Sequence, residues 1–145
     1  RIAMDKSVNP AFFLAVLLWY PMLKLKQEYL KDSHSEIEAI QYASMEVLRQ
    51  QQSFTSIPKR FSFMMKDIWF MQWTMQKPSI KQALRILHHS RFRAAYDFLL
   101  LRVKTGETQY QEIAQWWTDI QEKTEAEQHL MIKQLVSPTR ERKKK

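Results

Sequence analysis

Cysteine is absent from the 145 residues, glycine occurs once and proline five times. Without thiols the chain can form no disulfide and offers no thiolate metal ligand, which fits a reducing compartment and makes the cytoplasm the expected location. A hairpin-rich β-fold needs many residues at positive φ, and a phosphate-cradling loop needs clustered glycines. One glycine excludes both and leaves an all-α fold. Long apolar runs are also missing. The longest, residues 11–23, is interrupted by Pro21 and falls short of the roughly 20 residues a bilayer span needs. Lys6 precedes it as in a signal peptide, but no small-residue cleavage site follows, so it reads as a buried helix and no membrane partner is expected. The chain opens on Arg1 rather than Met and is taken to be the C-terminal part of something longer.

Catalytic constellations are lacking as well. The five aspartates (5, 32, 67, 97 and 119) are scattered singly, whereas phosphoryl or nucleotidyl transfer needs carboxylates gathered around magnesium. None of the four histidines has the i, i+4 partner of a zinc site, and His88-His89 falls at a helix end, where it suits the C-terminal dipole. No catalytic or metal-ligating residue is assigned, and this stretch by itself is not expected to be an enzyme.

Positive charge is abundant, and it is localised. Residues 57–104 hold ten Lys or Arg (59, 60, 66, 77, 81, 85, 91, 93, 102, 104) against Asp67 and Asp97, so this block alone equals the net +8 of the whole chain. Residues 137–145 add Arg140, Arg142, Lys143, Lys144 and Lys145 against one glutamate, while residues 105–136 are net acidic. Charge gathered this way builds a local field, and the partner it points to is a polyanion, with nucleic acid leading.

Prolines and caps divide the chain into an irregular all-α bundle of about six or seven helices, with residues 1–136 as a helical domain and 137–145 as a basic disordered tail. Asn9-Pro10 starts the first helix, Pro21 kinks or restarts it, and it fades near Asp32. Ser33 or Ser35 opens the second, each with a glutamate three residues on, and Ile37, Ile40, Val47 and Leu48 then form a stripe to about Gln52. Ser56-Ile57-Pro58 opens a third and Lys77-Pro78-Ser79 separates it from a fourth running to about His89. A fifth spans Arg91 to Lys104, ended by Thr105-Gly106, and a sixth bears Tyr110, Ile113, Trp116, Trp117 and Ile120.

The third helix is the most informative. Phe61, Met64, Met65, Ile68, Met71 and Met75 make a core stripe. On the opposite side Lys59, Phe63, Lys66, Phe70, Trp73 and Lys77 fall within about 80° of one another, alternating cation and aromatic. Lysines there could neutralise phosphates while rings stack on unpaired bases. The competing reading has Phe63 and Phe70 packed against a neighbouring helix with lysines snorkelling around them. The fifth helix is apolar nearly all round and should run through the middle of the bundle, with its cations at the edges. Arg91 and Arg102 project one way and Arg93 and Lys104 another, so both pairs could reach solvent beside the core; alternatively Arg93 pairs with Asp97 at i, i+4.

Several long strings also resemble a known family. Asn9-Pro-Ala-Phe-Phe-Leu-Ala-Val-Leu-Leu-Trp-Tyr-Pro-Met-Leu23, Ile57-Pro-Lys-Arg60, Lys66-Asp-Ile-Trp69, Arg91-Phe-Arg-Ala-Ala-Tyr-Asp-Phe-Leu-Leu-Leu-Arg102 and Trp116-Trp117 are similar, in order, to the C-terminal region of the bacterial poly(A) polymerases. That family belongs to the class II nucleotidyltransferases, related to the CCA-adding enzymes. The resemblance implies a helical RNA-binding part of an adenylyltransferase, with ATP and magnesium held by a catalytic head that precedes the matched region. By position, the matched cations are Lys59, Arg60, Lys66, Arg91, Arg93 and Arg102. Relatives tend to end in a longer Arg- and Pro-rich segment, so the short lysine-rich tail is a departure. The function expected is to hold single-stranded RNA 3′ ends. The alternatives are a module that only supports the catalytic part, or one that docks RNA-decay or RNA-chaperone proteins.

Overall fold

The computed structural model describes residues 10–32 and 34–135. Among these there are eight α-helices and no strand: α1 Pro10–Leu17, α2 Trp19–Lys31, α3 Glu36–Gln52, α4 Lys59–Gln76, α5 Ile80–Leu87, α6 Phe92–Lys104, α7 Gln111–Ile120 and α8 Glu125–Gln134, with a 3-10 turn at Thr108–Tyr110. The all-α expectation holds. Asn9, Ser33 and the tail cations Arg140, Arg142, Lys143, Lys144 and Lys145 lie outside the described residues. Two compact units divide between Phe70 and Met71, with α4 contributing to each.

In the first unit, α1 and α2 are two helices, so of the two outcomes expected at Pro21, a kink or a restart, the restart holds. Proline at position 21 has no N–H and its ring crowds the carbonyl four residues back. The chain therefore breaks at Leu18 and restarts with Pro21 in the first turn of α2, where a missing donor goes unnoticed. Helix α3 opens as its sequence dictates. Ser35 caps it, its Oγ accepting from the Glu38 N–H at 3.2 Å while Glu38 accepts from the Ser35 N–H at 3.1 Å. Ala39, Ala43 and Val47 are buried on the inner face of α3, and side chains this small let α2 pack closely. Helix α4 is tied to α1 by the buried Trp69, whose indole N–H donates to the Ala15 carbonyl at 3.0 Å. Ahead of α4 the Gln52 amide both donates to and accepts from the backbone of Ile57, at 3.1 and 3.3 Å, which fixes where the helix begins.

The second unit packs Met71 and Met75 with Ile86, Phe92, Tyr96, Leu99, Trp117, Ile120 and Ile132 in one core. Trp117 anchors α7 by donating from its indole nitrogen to the Met75 carbonyl at 3.0 Å. Helix α6 is less enclosed than its composition suggests: Phe92, Ala95, Tyr96, Phe98, Leu99 and Arg102 are buried, yet Arg93, Leu100 and Lys104 are exposed on one side. Helix α8 went unassigned in the sequence because among its ten residues only Ile132 is buried. Its start is nevertheless well built, with Thr124 and Glu127 forming a second reciprocal cap, and hydrogen bonds from Thr124 hold the Glu127 carboxyl below its usual range.

Helix α6 ends in a Schellman turn. The Glu107 N–H donates to the Arg102 carbonyl at 2.9 Å, the Gly106 N–H to the Val103 carbonyl at 3.3 Å, and Gly106 adopts φ +136°. A Cβ at Gly106 would meet nothing within 4 Å, so the requirement is backbone conformation alone. Gly106→Ala is expected to destabilise the protein by about 1–2 kcal/mol in a urea titration, the cost of positive φ for an L side chain. A change below about 0.3 kcal/mol would show that the turn tolerates alanine.

Candidate nucleic-acid interface

The six residues read as a cation and aromatic strip on α4 are the less buried side of that helix. In the first unit, Lys59 and Arg60 open the helix and are exposed, Phe63 is 57% exposed, and Lys66 and Phe70 are half-buried. The Lys66 Nζ lies 5.4 Å from the Phe63 ring centroid, and the Arg60 guanidinium lies 4.8 Å from that of Phe61. Both are cation–π contacts that hold the charges at the surface. The first turn of α4 contains no acidic residue, so Lys59 and Arg60 add to the positive end of the helix dipole instead of being offset there. Among the described residues none of Lys59, Arg60 and Lys66 is in an ion pair. The core stripe opposite is largely as expected, with Met65, Ile68, Met71 and Met75 buried and Phe61 and Met64 half-buried.

In the second unit, Trp73 is half-buried and Lys77 exposed. Arg93 is exposed and, among the described residues, is in no ion pair, so the i, i+4 pairing with Asp97 does not form. Its Nη1 donates to the Gln121 Oε1 at 3.3 Å, and its guanidinium sits 5.5 Å from the Tyr96 ring. Arg91 is half-buried, and its backbone N–H donates to the His89 Nδ1 at 2.9 Å, so this histidine braces the start of α6 as well as following the end of α5. Lys104 is exposed. Lys81 and Arg85 were not assigned to the site. They lie one turn apart on α5, both exposed, with no ion pair among the described residues. Their i, i+4 spacing was the signal that could have found them.

Arg102 is the correction. Expected to reach solvent beside Arg91, it is instead 4% exposed. Its Nε and Nη2 grip the Glu107 carboxylate at 3.1 and 2.8 Å, its Nη1 donates to the Gln72 Oε1 at 2.9 Å, and its Nη2 donates also to the Gln76 Oε1 at 2.7 Å. The Tyr110 ring covers the guanidinium at 4.9 Å. A cation so enclosed has its charge offset and its donors engaged, which makes it a structural element of the core rather than a phosphate ligand.

Among the described residues, two of the grooves on the first unit bear on the site. The larger, about 590 Å³, is formed by α2 and α3, and Glu28, Asp32 and Glu46 line it against the single cation Lys24. Hydrogen bonds from Arg49 and Gln50 keep the Glu46 carboxyl below its ordinary range. The smaller, about 370 Å³, is lined by residues of α3 and α4 and includes Lys66 and Phe70. Among the described residues no group of three or more His, Asp or Glu is gathered as for a metal ion. Nor is any described helix long and apolar enough to cross a membrane.

Residues 32–145 match the family described as polymerase A arginine-rich C-terminus. Over 137 residues the chain is 36% identical to poly(A) polymerase I of Salmonella typhi and 35% identical to that of Escherichia coli O157:H7, in each case 93% of this chain and 30% of the relative. Poly(A) polymerase I of Haemophilus influenzae is 33% identical over 123 residues, 83% of this chain and 27% of its own. The chain thus spans about 30% of the length of the curated relatives it matches. With the matched region covering α3 through α8 and all the helical cations from Lys59 to Lys104, the chain belongs to this family, a C-terminal part of poly(A) polymerase.

Proposed function

We propose that the chain holds single-stranded RNA for a poly(A) polymerase, keeping the 3′ end within reach of a catalytic head that binds ATP and magnesium and transfers the adenylates. The observation that carries this reading is the set of exposed Lys59, Arg60 and Phe63 with half-buried Lys66 at the start of α4, in which no cation is neutralised by a carboxylate among the described residues. Clustered uncompensated cations repel one another, and an RNA phosphate is the counter-charge that relieves this. Aromatic surface beside them adds stacking, which every base can accept, so little sequence preference is expected. A cytoplasmic setting belongs to the same reading.

Replacing Lys59, Arg60 and Lys66 together by alanine tests it directly. All three lie at the surface or half-buried, so folding is retained. Losing three phosphate contacts, each worth about 0.7 in the salt exponent, is expected to weaken single-stranded RNA binding about 50-fold at about 0.15 M salt. Fluorescence anisotropy measures this, and an affinity equal to that of the parent chain defeats the assignment.

A second reading has its own support. Phe13, Leu17 and Tyr20 are each more than half exposed, at 57%, 55% and 58%, on neighbouring turns of α1 and α2. Large apolar side chains grouped at a surface suit docking against protein. This face would serve to seat the chain against the rest of the polymerase, or against RNA-decay or RNA-chaperone partners, and it does not compete with RNA contact on α4.

A further inference from the structure

The smaller groove of the first unit contains a group that its own fold does not use. Ser44 lines it, is 2% exposed, and has an Oγ with no hydrogen-bond partner. A serine inside a helix commonly returns its hydroxyl to the carbonyl four residues earlier, here Ile40, and this one does not. Its neighbours on the same inner face, Ala39 and Ala43, are small and apolar, so alanine at 44 would fit the packing and avoid a stranded polar atom. A hydroxyl kept under these conditions suits a partner that enters from outside.

The remaining walls say what that partner is. Tyr42 is exposed, and its ring is braced by Tyr29 at 5.6 Å and His34 at 5.1 Å, so it presents a fixed face. Phe70 and the 58% exposed Met45 add further apolar surface, Gln41 adds an amide, and Lys66 supplies positive charge beside Phe63. A flat apolar body, a polar edge and an attached anion together describe a nucleotide. A free phosphate would use Lys66 alone and leave the aromatic and amide walls unused. An apolar peptide side chain would bury Ser44 still unbonded. At about 370 Å³ the space lies at the lower end of small-molecule sites and is sized for one nucleotide rather than a longer ligand.

We infer that this α3 and α4 groove takes one unpaired base of the bound RNA, its face on Tyr42 and Phe70, its edge on Ser44 and Gln41, and its phosphate toward Lys66. The inference rests on the RNA-holding reading and adds to it a subsite in which a base, not only the backbone, is gripped.

The test uses the 145-residue chain, a short single-stranded RNA labelled at its 5′ end for anisotropy, and the same RNA carrying 2-aminopurine. Binding is expected to quench the 2-aminopurine emission, as stacking does. Ser44→Ala is expected to melt at the same temperature as the parent chain or higher, yet to bind about fivefold more weakly, the size of one lost hydrogen bond, with an unchanged salt exponent. Met45→Glu, at an exposed position on the rim, is expected to weaken binding and abolish the quench. Should anisotropy report binding while emission stays constant, or while both variants match the parent, the groove holds no base and the inference is overturned with RNA holding intact. If Ser44→Ala lowers the melting temperature, Met45→Glu alone decides. Absence of binding at low salt defeats both readings together.

Discussion

Replacing Arg102 by alanine is expected to cost about 3–5 kcal/mol of stability, the range for removing one partner of a buried ion pair. The guanidinium is enclosed on every side, by the Glu107 carboxylate, the Gln72 and Gln76 side-chain oxygens and the Tyr110 ring. Truncation leaves the Gln72 oxygen without this donor in a site that is 0% exposed. Gln72 cannot turn its amide over to compensate, because its Nε2 already donates to the Ala95 carbonyl at 3.0 Å. Truncation also takes the guanidinium away from the Glu107 carboxylate, and the Glu107 backbone N–H closes the turn after α6. Small domains are stable by about 5–15 kcal/mol, so the loss is a large share of the total and the thermal midpoint should fall by roughly 10–15 °C. Substituting leucine at 102 and 107 together should cost less than Arg102→Ala, since neither charge is then left alone. A fall under about 1 kcal/mol for Arg102→Ala, measured by urea denaturation, would mean that the network is solvated and the burial argument fails. Below its melting temperature Arg102→Ala should bind RNA as the parent does, which separates this arginine from the surface cations.

That outcome also explains why the sequence misplaced Arg102. Its partner Glu107 is five residues on, a spacing at which two helical side chains do not meet, and the pair exists only because Gly106 reverses the chain first. Gln72 and Gln76 come from α4, thirty and twenty-six residues away, and nothing in local periodicity announces them. Ser44 was invisible for a related reason, since an unused hydroxyl shows only when its surroundings are known. Trp69 likewise donates across 54 residues to Ala15, a link that pattern cannot supply. Local chemistry, by contrast, was readable. The Ser35 cap, the Gly106 turn, the restart around Pro21 and the exposed side of α4 each follow from residues within a few positions of one another. Helix α8 escaped because its pattern of one buried residue gives no stripe to follow.

Salt is expected to weaken RNA binding about 2000-fold between about 50 and 200 mM, if about eight phosphates are neutralised at about 0.7 each in the exponent. The count comes from the surface and not from composition. Lys59, Arg60 and Lys66 in the first unit, and Lys77, Lys81, Arg85, Arg93 and Lys104 in the second, are the cations of the basic block that are accessible and in no ion pair among the described residues. Arg102 drops out because Glu107 already neutralises it. If only the first unit engages RNA, three contacts give an exponent near 2 and a loss of only about 20-fold over the same interval. The measured slope therefore reports whether one unit or both grip the strand. Repeating the titration with Lys81 and Arg85 changed to alanine sharpens the answer, because two contacts should take about 1.4 off the exponent if the second unit takes part and nothing if it does not. A slope near zero in the parent chain would mean that phosphates are not the target at all, and the concentration of charge in residues 57–104 would then need another cause.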